Sequence, residues 1–185
     1  SLVPIVCCSA KSGIGLDELL EALVLCGLSP GDRSWTARKG EEEINVTSDP
    51  AGPLVAQVFK TRVDPFVQKL SFIRIFSGTL KKDQSVSIST ARKPIKMGQL
   101  LVTQADQTEQ VASGSAGDIV AVAKMEDLAT STSIGDAFIA DIQFPTPMVG
   151  LVVSPKARGD ETKLSTALAK VVDEDPTFLL NRDGQ

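Results

Sequence analysis

The stretch Leu54–Ser77, LVAQVFKTRVDPFVQKLSFIRIFS, decides how the rest of the chain is read. It reads as two strands joined by a loop. Leu70-Ser71-Phe72-Ile73-Arg74-Ile75-Phe76 carries bulky side chains on both alternating faces, so this strand is expected to be covered on both sides. Asp64-Pro65 between the strands is a turn signal. A second turn follows at Ser77-Gly78-Thr79-Leu80-Lys81-Lys82, with lysines at its tip.

Working outward, the pattern stays strand and turn from Pro53 to about Phe144. Ser85–Ser89 alternates apolar and polar side chains, Lys96–Val102 predicts another strand, Gly117–Ala123 is apolar on both faces, and Ala137–Ile142 predicts the last. Gly78, Gly98, Gly114, Gly117 and Gly135 punctuate the run. About six or seven strands in roughly 90 residues predict a small closed β-barrel, an architecture that removes exposed sheet edges. Residues 31–52 are polar and charged, with Lys39-Gly40, the acid run Glu41-Glu42-Glu43 and Asp49-Pro50-Ala51-Gly52, and are expected to be a linker without a strand.

Both flanks change character. Val3–Cys8 has strand length and ends in Ser9-Ala10-Lys11-Ser12-Gly13-Ile14-Gly15; Leu16, Leu19, Leu20, Leu23 and Val24 then fall at helical spacing. Strand, polar turn and helix are the unit of an open α/β sheet, and residues 1–30 read as the tail of such a domain. After residue 145, Met148–Val153 predicts a strand that Pro155 breaks. Leu164, Ala167, Leu168, Val171 and Val172 predict a helix that Pro176 stops, and Thr177–Leu180 predicts a second strand. This β-α-β segment is half of an α+β unit, expected to be poorly ordered or covered by a second molecule.

Composition narrows the chemistry. The 42% hydrophobic content supports a core, and 4% aromatic content with one Trp and no Tyr makes its packing aliphatic. No run approaches the ~18–20 apolar residues of a membrane span, and no secretory leader opens the sequence. Cys7, Cys8 and Cys26 are expected to be buried small hydrophobes in a reducing compartment. The sequence has no histidine, which removes Ser–His and Cys–His nucleophile pairs and most zinc sites. The acid clusters Glu126-Asp127 and Asp173-Glu174-Asp175 read as solvated loop and helix ends. The net charge of −4 conceals a segregation: Pro53–Thr103 holds nine Lys and Arg against two acids, a surplus of seven that leaves a deficit of eleven elsewhere. Such a basic window can meet a phosphate backbone; the plainer reading is a solvated sheet face.

Ser9-Ala10-Lys11, followed by Gly13-Ile14-Gly15 and an amphipathic helix, fits the guanine-reading loop of P-loop GTPases, where a backbone N–H at the carboxyl end of a parallel strand meets the base carbonyl. The sequence contains no G-x-x-x-x-G-K-[ST] phosphate loop and no Asn-Lys-x-Asp, so this chain alone is expected neither to bind GTP usefully nor to hydrolyse it. Gly13-Ile14-Gly15 lacks the third glycine of a dinucleotide site.

Val55–Thr61, Asp64-Pro65-Phe66, Lys69–Leu80 and Ala116–Val122 with Gly135-Asp136 resemble the second domain of bacterial elongation factor G. Pro145–Met148, Val153–Lys156 and Lys163–Phe178 resemble the opening of that family's third domain, and Ser9-Ala10-Lys11 with its helix is similar to the end of its GTPase domain. The resemblance covers nearly the whole chain and is weakest in 31–52. It implies a mainly β fold: a closed barrel of the translation-protein second-domain type over 53–144, an α/β tail of a GTPase domain before it (1–30) and a partial ferredoxin-like β-α-β segment after it (145–185). It implies a noncatalytic middle fragment of a cytoplasmic translational GTPase. Its barrel would pack on the GTPase domain of the same chain and dock on small-subunit ribosomal RNA, with neither DNA nor membrane as partner. GTP and magnesium would belong to the full-length parent, with the guanine read by Ser9, Ala10 and Lys11. The residues expected to face RNA are Lys69, Lys81, Lys82, Arg92, Lys93 and Lys96. Thr103–Gln110 lacks the His and basic residues common there, Leu128–Ile134 is longer than the usual turn, and Ser-Ala-Lys replaces Ser-Ala-Leu. These departures point to a divergent paralogue, whose parent could instead serve ribosome protection, recycling or release. The alternative from another class is a barrel adaptor that binds a protein through Glu41-Glu42-Glu43 and its apolar faces.

Overall fold

The computed structural model describes residues 3–181 apart from 65–67, 106 and 158. In chain order its elements are α1 (Leu16–Cys26), a 3-10 turn (Pro30–Asp32), β1 (Ser34–Lys39), β2 (Glu42–Thr47), β3 (Val55–Asp64), β4 (Gln68–Ser77), β5 (Thr79–Lys81), β6 (Ser85–Ile88), β7 (Ala91–Lys96), β8 (Leu100–Gln104), β9 (Gln107–Val111), β10 (Ser113–Ser115), β11 (Ile119–Ala123), β12 (Ser133–Gly135), β13 (Phe138–Ile139) and α2 (Glu161–Glu174). The fold is mainly β. One antiparallel sheet runs β7-β6-β12-β3-β4-β11-β8-β9; β5 pairs with β10, and β13-β1-β2 forms a third sheet.

β3 and β4 form the central hairpin, with Val58 opposite Ile73 and bulges at Val55/Ala56 and Val58/Lys60. The Pro65 of its turn signal lies outside the described residues. β4 divides its side chains as its alternation predicts. Ile73 and Ile75 are fully buried on one face, in a core with Val58, Leu80, Ile88, Leu100, Val120 and Ile134. On the other face Phe72 packs with Leu70, Leu101 and Ala121, and Phe76 with Ala37, Val46 and Val55. The main core draws on β6 and on β8, which lie in opposite halves of the large sheet, so the sheet curls around one centre. Among the described residues no ladder joins β7 to β9.

The cover over Phe76 comes from a segment whose sequence predicts no strand. Residues 31–52 are not a bare linker; they form the β1–β2 hairpin, paired from Ser34↔Thr47 to Lys39↔Glu42 around Gly40 at φ 65°. Trp35 meets Phe76 edge-on at 5.1 Å between ring centroids, and Ala37 and Val46 are buried beneath. The alternation is hidden by Arg38, Lys39 and the acid run, which occupy the turn and the solvent face.

Other expectations are corrected. Lys96–Val102 is broken at Met97-Gly98-Gln99, because the Met97 backbone is taken by the turn before β6: Met97 donates to the Gln84 carbonyl (2.8 Å) and accepts from the Asp83 amide (3.0 Å). Val3–Cys8, Met148–Val153 and Thr177–Leu180 are not strands, since no neighbouring strand among the described residues supplies their backbone partners; only the single bridge Ser9↔Ile14 forms just after the first. The three cysteines are exposed, not buried: Val6 of this segment is half-buried, but among the described residues no residue of 3–8 or of α1 is fully covered. Both helices form where the apolar spacing predicts them. Asp175 ends α2 by accepting from the Thr177 hydroxyl (2.7 Å) and amide (2.9 Å), and these two bonds hold its carboxyl below the usual aspartate value.

Gly135 allows β12 to close against the start of β3. Its φ is 112°, and a Cβ there would stand 2.0 Å from the Leu54 carbonyl oxygen. Gly135→Ala therefore forces β12 away from β3 at a conformation that L-residues rarely adopt, and should cost more than about 2 kcal/mol. Urea unfolding measures this; an unchanged midpoint would contradict the close approach.

Candidate nucleic-acid interface

The lysine-tipped turn is built from the core outward. Leu80 is fully buried and fixes β5, while its neighbours Lys81 and Lys82 are exposed. The Gln84 side chain accepts from the Lys81 amide (2.9 Å), and the Lys82 amide donates to the Ala112 carbonyl (3.0 Å). Asp83 takes φ 62° at the corner. Both lysine backbones are thus held while their ammonium groups remain in water.

The same bonds that seal this turn bring β7 to it. The Asp83–Met97 and Met97–Gln84 bonds set the end of β7 beside the turn, and Lys96 Nζ stands 3.1 Å from Asp83 Oδ1. Lys81, Lys82 and Lys96 therefore share one corner with Asp83. The Lys96–Asp83 pair is largely solvated, with side chains 70% and 59% exposed, so it contributes little to stability. Arg92 and Lys93 are exposed at the start of β7; at ~3.3 Å per residue they lie roughly 10–13 Å from Lys96 along the strand. Five of the six cations expected to face RNA thus occupy one turn and one strand. Exposed ammonium and guanidinium groups of this kind can hold phosphate groups.

Lys69 stands apart from them. It is 5% exposed, and its ammonium group donates to the Glu126 carbonyl (3.1 Å) and to Asp173 Oδ1 (3.4 Å). It opens the strand that faces the core, whereas the other five sit on the turn and on a strand at the end of the sheet. Its two carboxylate neighbours belong to the acid clusters that the sequence presents as solvated ends. One signal of this burial was available: Lys69 leads directly into the apolar run of β4.

Ser9, Ala10 and Lys11 form a small exposed loop. The Ser9 amide donates to the Ile14 carbonyl and the Gly13 amide to the Ser9 carbonyl, both at 2.9 Å. Gly15 is needed beneath it, since a Cβ there would meet the Cys7 carbonyl at 2.3 Å. Among the described residues the Ala10 and Lys11 amides have no backbone acceptor. A separate groove of about 790 Å³ beside β1 and β13 is lined by Arg38, Glu43, Phe138 and Asp141 among others. Its Arg38–Glu43 pair is exposed at 3.8 Å. Among the described residues no helix is long and apolar enough to cross a membrane.

Comparison with known proteins gives these features a family. Residues 53–141 match the family model for elongation factor G domain 2, and residues 144–185 match that for elongation factor G domain III. The chain is similar to a crystal structure of a Thermus thermophilus protein, with 28% identity and a TM-score of 0.72. That match covers 95% of this chain and 25% of the other, so this chain spans a quarter of its length. The curled sheet with a basic turn is the β domain of a translation factor. The chain is an elongation factor G-like protein.

The placement of the cations has a direct readout. Lys81→Glu with Lys82→Glu should leave the unfolding midpoint nearly unchanged and release the protein from a heparin column at clearly lower salt. Lys69→Met should leave heparin elution where it was. A shift in elution for Lys69→Met as large as that for the turn variant would place Lys69 on the anion-facing surface after all.

Proposed function

We propose that this chain is the noncatalytic middle of a translational GTPase of the elongation factor G type, acting in protein synthesis in the cytoplasm. In this reading residues 1–30 close the GTPase domain, 31–52 lead out of it, 53–144 are the second domain and 145–185 open the third. GTP and magnesium are bound by the whole parent. Here Ser9, Ala10 and Lys11 would supply the backbone donors that read the guanine carbonyl, and the bound nucleotide would supply the hydrolysable phosphate. The β domain docks on small-subunit ribosomal RNA and passes the nucleotide state on to translocation.

The observation that supports this reading most is the grouping of Lys81, Lys82, Arg92, Lys93 and Lys96, all exposed, on one turn and its adjoining strand. Cations spread along an exposed turn suit phosphate and shape recognition, which is how duplex RNA is read. The scarcity of aromatics, 4% of the chain, speaks against a surface on which unpaired bases stack. A second reading keeps the GTPase but changes its task to ribosome protection, recycling or release. It draws support from the β8–β9 hairpin, where Gln104, Gln107, Thr108, Glu109 and Gln110 are exposed without a cation.

Co-sedimentation of the chain with small ribosomal subunits over a range of salt tests the proposal. Binding should weaken steeply as salt rises, because each lysine or arginine that pairs with a phosphate releases counterions. The Lys81→Glu, Lys82→Glu variant should bind more weakly, with a slope shallower by roughly one for each phosphate no longer neutralised. Binding indifferent to salt, or absent, favours the protein-binding adaptor.

A further inference from the structure

The C-terminal turn of α2 rests on the β3–β4 hairpin through polar contacts that converge on a buried cation. Lys69 Nζ reaches Asp173 Oδ1 at 3.4 Å, the Glu126 carbonyl at 3.1 Å and Glu126 Oε2 at 3.8 Å. Beside it Thr61, 1% exposed, donates its hydroxyl to the Asp173 carbonyl and shares a hydrogen bond with the Thr130 hydroxyl (2.9 Å). Opposite Lys69 in the hairpin register, the Val63 amide donates to Glu174 Oε1 (3.3 Å).

We propose that Lys69 is a reversible ion-pair latch that docks the C-terminal turn of α2 on the barrel and sets the position of everything that follows residue 145. Three physical arguments carry it. First, the last carbonyls of a helix lack intrahelical partners and its C-terminus attracts cations. Thr61 and Lys69 supply a hydroxyl and an ammonium group at that spot. Second, the contact is polar where a permanent one would be apolar: Val171 and Val172 stay 41% and 37% exposed, and no residue of α2 is buried. Small polar contacts between parts of a chain are the kind that open and close. Third, undocking leaves no stranded charge. A buried lysine without a partner is costly, but Glu126 belongs to the barrel's own loop and its side chain is 76% exposed, so it remains beside Lys69 when Asp173 departs. Lys69 thus has two carboxylates, one fixed on the barrel and one carried by α2. The latch stands whether or not the barrel binds RNA.

Amide hydrogen exchange on the whole chain tests it, because a helix of 14 residues has little protection unless docked. Asp173→Asn should raise exchange over 161–174 by roughly tenfold or more while β3, β4 and β11 keep theirs. Lys69→Met should do the same, and the double variant should add nothing, the mark of one shared interaction. Glu126→Gln should leave α2 protected. In the unmodified chain, raising salt to about 1 M should speed exchange in α2 and spare the barrel. Additive effects of the two substitutions would overturn the latch. Should Lys69→Met fail to fold, the remaining arms decide: α2 protection unmoved by both Asp173→Asn and salt overturns the proposal.

Discussion

The double cover of β4 is the constraint on which the rest of this structure depends. A strand that alternates Ile73 and Ile75 with Phe72 and Phe76 cannot leave either face in water. One face is closed by curling the sheet until β6 and β8 meet around the isoleucines. The other is closed unevenly: Phe72 lies side by side with Ala121 and Leu101 of the neighbouring strands and stays half-buried, whereas the β1–β2 hairpin covers Phe76 through Trp35. The third sheet exists to finish the packing of the first.

Much of this was legible in the sequence because the signals were local. The β3–β4 hairpin, the alternation of β6 and the apolar stripes of α1 and α2 each repeat at their own period within about ten residues. The β1–β2 hairpin was not legible, because Trp35-x-Ala37 and Ile44-x-Val46 give only two inward residues per strand and the charges between them suggest solvent. What decides its fold is Phe76, far along the chain, and a single sequence cannot display that partnership. The apolar runs Met148–Val153 and Thr177–Leu180 mislead in the opposite sense. They have strand composition, but a strand is made by its neighbour, and among the described residues neither has one.

Charge placement divides in the same way. The surplus of cations between Pro53 and Thr103 is visible in the sequence, and five of the expected six lie exposed on the β5–β6 turn and on β7. The sixth, Lys69, is inside. A lysine stem can lie along apolar surface wherever its head finds acceptors, and those acceptors, Glu126 and Asp173, come from segments 57 and 104 residues distant. Residue type and local pattern say which side chains carry charge; the topology says which of them meet.

β7 has a further consequence as an outermost strand of the large sheet, with β6 as its one neighbour among the described residues. An outermost strand offers its free backbone groups to any extended segment, including β7 of another molecule. Pro94 removes one donor from that row, the bulge opposite Ser87 breaks its regular spacing, and Arg92, Lys93 and Lys96 confront an approaching copy with like charge. The cations of β7 thereby guard the molecule against growing by strand upon strand into aggregates.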